Sequence, residues 1–396
     1  MQNNTVTWIW QQPNWPHFHW QEEHIQPLLR TVRLRQGILL GKTGSICNAL
    51  TLETALDNLL QNIITSSAIE GEQLNIQSVR SSLAKRIGMN LQQTYPTSER
   101  SEGLAKMLLD AISNLDTPLA LERLFQWHQW LFPSAEKSIY PIQVGQLRDD
   151  DPMQVVSGRI DKPTVHFEAP PRKLLENELM VFIDWFNQTK NDTTLDPLLR
   201  AAICHFWFVT LHPFDDGNGR ITRALTDLAL AQEDKQSIRL YAMSATILAK
   251  RTQYYRVLEE SQRNTLDITV WLVWFLQTLE DSLQTAIETI DCTLEKDRFW
   301  QRYQGVELSA VQIKVLNRLL DGGEKGFAQG INASQYQKIA KVSKATATRH
   351  LAFLLDNGCI EKLLCGQYLR KKVSAKRGVC RSPSKVPVQK TLSHLL

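Results

Sequence analysis

The amino-acid sequence predicts a mainly α protein with one β-hairpin and a small C-terminal domain. Apolar residues recur at helical spacing over long stretches, for example at Leu52, Leu56, Leu59 and Ile63. Short β-branched pieces occur between residues 140 and 171, where Gly and Pro become frequent. After residue 307, three short helical patterns precede two β-like segments, which is the order of a winged helix-turn-helix.

The length of 396 residues exceeds one typical hydrophobic core and predicts two or three domains. The predicted parts are an N-terminal helical region 1–98, a central helical domain 99–300, a winged helix-turn-helix 307–373 and a basic tail 374–396. A boundary is expected near 301–307, and the tail, rich in Ser and Pro, is expected to be disordered.

The elements are predicted in the following order. Helices cover most of 25–90, 100–135 and 172–300, and two strands at 155–156 and 164–167 flank a turn at 157–162. In the C-terminal domain, helices are predicted over 308–320, 332–341 and 343–356, and strands over 359–364 and 368–373. Ser343 is the expected N-cap of the third helix, which Gly358 ends.

Four tryptophans lie within the first twenty residues: Trp8, Trp10, Trp15 and Trp20. A free tail of this composition would expose a large aromatic surface. We therefore expect the segment to dock on the body as a clamp or to begin a dimer contact. Further along, 41–43 reads Gly-Lys-Thr without the earlier glycine of a phosphate-binding loop, and we interpret it as an ordinary loop.

The composition is that of a globular protein, with 43% hydrophobic and 22% charged residues. No apolar run approaches the roughly 20 residues that cross a bilayer, and no secretory signal is recognisable. The six cysteines are scattered without a CxxC pair, which argues against a zinc site or a disulfide framework. We expect a cytoplasmic protein without a membrane partner.

The net charge of +4 is unevenly distributed. Residues 370–396 contain eight Lys or Arg and no Asp or Glu, so the rest of the chain has 37 basic and 41 acidic residues, a net of −4. This segment is either a solvated extension or an arm that contacts nucleic-acid phosphates.

Residues 212–223, His-Pro-Phe-Asp-Asp-Gly-Asn-Gly-Arg-Ile-Thr-Arg, are the most informative part of the chain. We refer to them as the 212–223 run. His212 follows a buried helical pattern at 198–211, and Pro213 prevents that helix from continuing. Glycines 217 and 219 open the next helix, where backbone N–H groups can converge on an anion. Arg220 and Arg223, three residues apart, can face a phosphate together.

Nine positions of this run match the signature HPFx(D/E)GNGRxxR, so the chain resembles the Fic family. The resemblance implies a helical Fic domain with a β-hairpin flap. It implies that His212 takes the proton of a target hydroxyl, that Asp216 holds Mg²⁺, and that Phe214 anchors the loop. The residues that it assigns to ATP binding are Glu70, Phe214, Asp215, Asp216, Gly217, Asn218, Gly219, Arg220, Arg223, Tyr254 and Tyr255.

Within that set, the resemblance gives Asn218 and the adjacent amides to the α-phosphate. It gives Arg220 and Arg223 to the β- and γ-phosphates. The aromatic pair Tyr254-Tyr255 resembles the segment that encloses adenine, although core packing is an equal alternative for at least one of the two rings. The flap would include Val165, His166 and Phe167, and a target segment can add to it as an extra strand.

Two further features refine the expected activity. Gly219 stands where the kinase-like Doc branch of the family has lysine, which favours AMP transfer over phosphate transfer. Ser66, Glu70 and Gly71 match the inhibitory pattern (S/T)xxxE(G/N) of the family. Ser66 and Glu70 lie one helical turn apart, and Gly71 suits the left-handed position after a helix. A carboxylate here can pair with Arg223 in the place of the γ-phosphate.

The sequence therefore predicts an autoinhibited protein adenylyltransferase that moves AMP from ATP to a Tyr, Thr or Ser hydroxyl of an unidentified target protein. Removal of AMP from the target stays open, as does a homodimer that masks the helix of Glu70. The alternative is a DNA-binding transcriptional regulator that uses the Fic core as a nucleotide sensor. Its recognition helix would present Lys344, Thr346 and Arg349.

Overall fold

The structure is a computed structural model that describes residues 7–43, 48–91, 93–133, 142–159, 162–234, 240–263, 265–321, 330–362 and 368–370. Its contacts divide the chain into two compact units, Met1–Ile290 and Asp291–Leu396. The division falls inside a long helix, upstream of the boundary expected at 301–307, because Phe299 and Tyr303 belong to the core of the second unit. The described residues contain no helix with the length and apolarity to span a membrane.

In its described residues, the first unit is helical apart from one hairpin. Its elements are α1 (Glu22–Thr43), α2 (Asn48–Ile69), α3 (Ile76–Arg86), α4 (Glu99–Ser113), α5 (Leu121–Leu131), β1 (Gln154–Arg159), β2 (Lys162–Glu168), α6 (Arg172–Gln188), α7 (Pro197–Leu211), α8 (Asn218–Glu233), α9 (Met243–Ala249), α10 (Arg251–Ser261) and α11 (Thr269–Tyr303). The interpretation of 41–43 as a loop is wrong, because α1 continues through Thr43, whose hydroxyl donates to the Leu39 carbonyl.

The helix α7 is the centre of this unit. Asp196 caps it by accepting from the Leu198 amide, Pro197 occupies its first turn, and every residue from Leu198 to Leu211 is buried. A helix that is buried on all sides must be surrounded by other elements. The Trp271 indole of α11 donates to the Ala202 carbonyl at 2.8 Å, which fixes α11 against it.

The Trp-rich N-terminal segment packs on the rest of the first unit, which confirms the expected clamp, one of the two alternatives given for it. The Ile9 amide donates to the Gln262 carbonyl at 2.9 Å, and the Trp10 indole donates to the Glu168 carbonyl at 2.8 Å. Trp15 packs edge-on against Trp207, so α7 also contributes to this contact. The clamp closes over the end of β2 and the end of α10, and both of these elements line the site described below.

The predicted strand pair is confirmed. The strands β1 and β2 pair antiparallel, with Ser157 opposite Thr164. The pairing register shifts between Val155 and Val156, which is the geometry of a β-bulge. The strands extend to Arg159 and from Lys162, so the connection is shorter than the predicted turn at 157–162.

The second unit contains the end of α11, three short helices and a strand pair. These are α12 (Ala310–Leu320), α13 (Ala333–Ala340), α14 (Lys344–Asp356), β3 (Ile360–Lys362) and β4 (Tyr368–Arg370). Ser343 caps α14 and Gly358 adopts a φ of +68°, as predicted. The assignment of this unit as a winged helix stays a prediction. The basic tail and most of the predicted wing lie outside the described residues.

Candidate functional site

The 212–223 run opens onto a cavity of about 660 Å³ in the first unit. Its walls come from the end of α2, the β1–β2 hairpin, the α7–α8 connection and α10. The sequence-predicted residues that line it are Glu70, His166, Phe167, His212, Asp215, Asp216, Gly217, Asn218, Gly219, Tyr254 and Tyr255. Folding thus brings together residues that are up to 185 positions apart in the chain.

His212 ends α7 in a left-handed conformation, with φ +48° and ψ +58°. Its Nδ1 lies 3.1 Å from the Val209 carbonyl oxygen, and because a carbonyl only accepts, Nδ1 carries the hydrogen. In the neutral ring, Nε2 is then the free acceptor. Burial lowers the pKa of His212 from its ordinary value of 6.5, so the neutral, basic form predominates at pH 7.

The α7–α8 connection is braced by its own side chains. Asn218 accepts from the Phe214 amide at 2.9 Å and donates to the Phe214 carbonyl at 2.7 Å. Gly217 has a φ of +82°, and a Cβ there would lie 2.9 Å from the Phe132 ring. The N-terminus of α8 therefore faces the cavity in a fixed geometry, which suits an anion.

Phe214, predicted from the resemblance as an ATP contact, does not lie in the cavity wall. Its side chain is fully buried and does not line the cavity, and its ring stacks on His128 with the centroids 4.3 Å apart. The anchoring role that the resemblance implies is consistent with this position. Val165, Ser66 and Gly71 also lie outside the cavity lining.

Glu70 and Ser66 hold Arg223 from the end of α2. The Arg223 guanidinium donates to the Glu70 carboxylate at 2.7 Å, to the Ser66 hydroxyl at 2.8 Å and to the Ser66 carbonyl at 2.9 Å. The helix ends at Ile69, and Gly71 adopts a φ of +82°, as the sequence predicts. A Cβ on Gly219 would lie only 2.1 Å from the Glu70 carboxylate, so this contact requires glycine at 219.

A second acidic residue, Glu72, holds Arg220. Its carboxylate accepts from Arg220 at 2.6 Å and from two nitrogens of Arg100 at 2.8 Å each. Burial alone would raise the pKa of Glu72, but the hydrogen bonds and charge of Arg100 and the charge of Arg220 hold it below 4.5. Glu72 was not among the residues predicted from the sequence because the inhibitory pattern ends at Gly71, although an acidic residue two positions after Glu70 is visible there.

Neither arginine of the run lines the cavity, because these two carboxylates hold both guanidinium groups. Each arginine still has spare donor capacity. Arg220 Nε and Arg223 Nη1 are buried and have no hydrogen-bond partner among the described residues. An anion that displaced the carboxylates would therefore find two guanidinium groups beside the start of α8.

The two tyrosines have different environments. Tyr254 is buried, and its hydroxyl lies 2.9 Å from Nε2 of the buried His205. Tyr255 is 38% exposed, and its hydroxyl donates to the Ile69 carbonyl at the end of α2. Tyr254 is therefore mainly a core residue, as the alternative interpretation proposed, whereas Tyr255 offers an accessible ring.

Asp216 is the candidate Mg²⁺ ligand. Its side chain is 54% exposed, and its carboxylate is 3.3 Å from the Arg220 guanidinium. The described residues contain no cluster of three His, Cys, Asp or Glu that could hold a metal by themselves. A single carboxylate nevertheless fits Mg²⁺, which commonly keeps several waters and takes its other oxygens from substrate phosphates.

Comparison with known families gives two matches, which contain part of this site. Residues 118–230 match the Fic/DOC family, and residues 8–89 match a domain of unknown function, DUF4172. The chain carries a Fic/DOC family domain. The match contains the whole 212–223 run, whereas Glu70 and Glu72 lie in the DUF4172 region.

Several curated relatives share this region. Protein adenylyltransferase fic-1 of Caenorhabditis elegans is 25% identical over 248 residues, which cover 61% of this chain and 44% of the relative. A uridine 5'-monophosphate transferase of Xanthomonas campestris pv. campestris (strain 8004) is 32% identical over 117 residues, 28% of this chain and 21% of the relative. The chain spans less than half the length of these relatives.

Among solved structures, a Fic family protein from Desulfovibrio desulfuricans G20 aligns with a TM-score of 0.49 and 19% identity. The alignment covers 88% of this chain and 98% of that one.

Proposed function

We propose that the protein is an autoinhibited protein adenylyltransferase that transfers AMP from ATP to a Tyr, Thr or Ser hydroxyl of a target protein. The observation that supports this most directly is the cavity geometry. A neutral imidazole with a free Nε2, the start of α8 and an accessible tyrosine ring line one cavity. The relatives named as adenylyltransferases favour ATP as the nucleotide.

In the proposed reaction, the adenine lies against Tyr255 and the α-phosphate lies at the N-terminus of α8. His212 Nε2 takes the proton of the target hydroxyl, whose oxygen attacks the α-phosphorus as the bond to pyrophosphate breaks. Asp216 would hold Mg²⁺, which supplies neutralisation of phosphate charge when it is bound. The first unit contains every residue that these roles require.

The same contacts support a built-in inhibition. Arg223, the proposed γ-phosphate ligand, is neutralised by Glu70 at 2.7 Å, and the Glu70 carboxylate lies against Gly219. A triphosphate that enters meets a negative charge where its own negative charge must bind, so the productive alignment for in-line attack is disfavoured. Whether the protein also removes AMP from its target stays open under this proposal.

The proposal is tested by incubating wild-type, Glu70→Gly and Glu70→Gly/His212→Asn proteins with host lysate and labelled ATP. We expect Glu70→Gly to incorporate the α-label at least about tenfold faster than wild type, equivalent to about 1.4 kcal/mol of barrier. The γ-label should not be incorporated above the background of the lysate with the double variant, which should transfer no AMP to lysate proteins. Asn is chosen because it tolerates the left-handed backbone at 212.

Labelled UTP is a necessary comparison because one relative is named a uridine 5'-monophosphate transferase. Preferential incorporation from UTP would replace AMP by UMP in the proposal. Incorporation of the γ-label above the background of the double variant would indicate phosphate transfer and contradict the proposal. Equal or lower activity of Glu70→Gly would contradict the inhibitory role of Glu70.

The remaining sequence-based expectations stay predictions. Lys344 and Arg349 are exposed on α14, and Thr346 lies within the first turn of that helix, which is compatible with the DNA-binding alternative. The homodimer and the cytoplasmic location likewise remain to be tested.

A further inference from the structure

The N-terminal clamp, residues 8–20, joins two walls of the cavity at their ends. The Trp8 ring packs edge-on against Phe167 of β2, with the centroids 5.4 Å apart, and the Arg263 guanidinium lies over the same ring at 5.7 Å. The backbones of Trp8 and Arg263 form an antiparallel bridge just after α10. Phe167 lines the cavity, so Trp8 connects the hairpin wall to the end of the α10 wall.

The next two residues of the clamp strengthen this connection. The hydrogen bond from Trp10 to the Glu168 carbonyl holds the last residue of β2. The hydrogen bond from Ile9 to the Gln262 carbonyl holds the residue that follows α10. Ile9 is fully buried, so this part of the clamp is packed into the unit.

Arg263 extends the connection further into the cavity wall. It donates to a Glu259 carboxylate oxygen at 2.5 Å and to the His166 carbonyl at 3.3 Å. The other Glu259 carboxylate oxygen lies 2.9 Å from His166 Nδ1. His166 Nε2 lies 2.6 Å from the hydroxyl oxygen of Ser157 on β1. A hydrogen-bonded chain therefore runs from the guanidinium beside Trp8 to both strands of the hairpin.

The other end of the clamp is anchored on two helices of the first unit. The Trp15 indole donates to the Glu178 carboxylate of α6 at 2.8 Å. The Phe18 ring packs edge-on against Phe206 of α7, with the centroids 5.7 Å apart. Because α7 is buried on all sides, the clamp has a fixed support from which its first residues can hold the hairpin.

The hairpin needs such a support. A two-stranded hairpin is marginally stable by itself, so its position depends on what packs against it. Phe167 is 2% exposed, whereas Val155 and Val156 of β1 are 37% and 51% exposed, so the packing that holds the hairpin is on β2. Under the proposed function, a target segment adds to this hairpin, and a displaced hairpin would move the target hydroxyl away from His212 Nε2.

We propose that Trp8 and Trp10 are positioning residues of the transfer reaction, which fix the hairpin, and with it the target hydroxyl, relative to His212. This inference rests on the proposed function and assigns a role in it to the first residues of the region that matches DUF4172. ATP affinity should not depend on the clamp. The proposed nucleotide contacts are held from elsewhere, Tyr255 by the end of α2 and the start of α8 by the 212–223 run itself.

The test measures initial rates of AMP incorporation into lysate proteins by the full chain in the Glu70→Gly background. Trp8→Ala should lower the rate by about 10- to 100-fold, because a misplacement of about 1 Å can cost a factor of this size. Trp8→Phe keeps an aromatic ring against Phe167 and should recover most of the rate.

Trp10→Phe removes the hydrogen bond to Glu168 and keeps a ring, so it should lower the rate by about three- to tenfold. Trp20→Ala is the matched control. Its indole belongs to the same segment but donates to Glu22 at the start of α1, so the rate should stay within about twofold of the parent.

Two further measurements separate positioning from a general loss of structure. The first is calorimetric titration with ATP in the Glu70→Gly/His212→Asn background, where Trp8→Ala should leave the dissociation constant within about threefold of the parent. The second is hydrogen exchange of Trp8→Ala, which should become faster in peptides from 154–168 and stay unchanged in peptides from 198–211.

The outcomes distinguish this inference from the proposed function. An unchanged rate in Trp8→Ala, or an equal loss in Trp20→Ala, would overturn the inference and leave the proposed function standing. A loss of ATP affinity as large as the loss of rate would also overturn it, because the clamp would then act on the nucleotide. If Trp8→Ala does not fold, the rate of Trp10→Phe decides in its place. No incorporation of the α-label by the Glu70→Gly parent would overturn the proposed function and the inference with it.

Discussion

Two buried arginines at this site each form a salt bridge with a glutamate. Glu70 holds Arg223 and Glu72 holds Arg220, and both arginine side chains are nearly fully buried. A buried guanidinium without a partner is costly, so each carboxylate contributes to stability, in addition to the inhibition proposed for Glu70. Substitutions at 70 and 72 should therefore change both activity and the free energy of unfolding.

Glu72→Gln should destabilise the protein by about 2 kcal/mol, because it removes the charge that Arg220 and Arg100 share. The measurement is urea unfolding at pH 7. Glu176→Gln is the matched control, since the salt bridge of Glu176 with Arg172 joins a carboxylate that is 68% exposed, and its loss should cost less than about 0.5 kcal/mol. Equal losses in the two variants would contradict the structural role of Glu72.

Gly219→Ala tests the close approach of Glu70. The new Cβ would lie 2.1 Å from the Glu70 carboxylate, so we expect a loss of stability in the wild-type background. In the Glu70→Gly background, the carboxylate that the new Cβ would meet is absent, so Gly219→Ala should cost less stability there. The two substitutions should therefore be non-additive in the free energy of unfolding, by at least about 1 kcal/mol in thermal unfolding. Gly37→Ala, with no atom near its Cβ, should have the same effect in both backgrounds. Additive effects at 70 and 219 would show that the carboxylate lies elsewhere.

At the scale of elements, the position of α2 on α8 depends on a buried polar contact one turn away from the Arg223 contact. Asn62 of α2 donates to Asp227 of α8 at 2.7 Å, and its carbonyl oxygen accepts from the Ser244 amide. Burial raises the pKa of Asp227 to about 7, against the lowering effects of Asn62 and Arg223. This contact makes the position of α2, the helix that ends just before Glu70, dependent on the pH.

The sign of the coupling follows from linkage. Between about pH 4 and pH 7, folded Asp227 retains a proton that the unfolded chain has released, so its contribution to stability falls as the pH rises. Asp227→Asn removes this dependence while an acceptor for Asn62 is kept. We expect the variant to gain stability over wild type, by a few kcal/mol, as the pH rises from 4 to 8.

Thermal unfolding at several pH values measures this difference. Asp184→Asn, on the exposed side of α6, controls for the loss of one surface carboxylate. A stability difference for Asp227→Asn that stays constant from pH 4 to pH 8 would contradict the raised pKa.

At the scale of the whole molecule, the site belongs to one compact unit. Every residue that lines the cavity lies between Glu70 and Gln262, and the first unit extends to Ile290 with its own core around α7. We expect residues 1–290 to fold cooperatively without the remaining 106 residues.

Calorimetric titration with ATP, in the Glu70→Gly background, compares residues 1–290 with the full chain. The two dissociation constants should agree within about threefold, less than 1 kcal/mol. A much weaker affinity, or unfolding without a cooperative transition, would show that the second unit is needed for the proposed nucleotide site.

Much of the site could be predicted from the sequence because its parts are local. The 212–223 run places a histidine at a helix end, glycines at the next helix start and two arginines one turn apart, and the structure preserves each of these relations. The end of α2 at Ile69 and the left-handed conformation of Gly71 could also be predicted from neighbouring residues. The loop expected at 41–43 is wrong, and the reason is also local: no residue near 41–43 ends α1 before Thr43.

The sequence by itself determined the helical elements, the hairpin and the composition of the 212–223 run, because spacing, capping and glycine positions act within a few residues of each other. Only the tertiary structure decided that Glu72 reaches Arg220, that Phe214 faces the core, and that Ser157, His166 and Glu259 form one hydrogen-bonded chain. These contacts join side chains from separate elements. Folding brings these side chains together from distant positions in the sequence. Their hydrogen bonds and their burial therefore leave no local sequence pattern from which the contacts could be predicted.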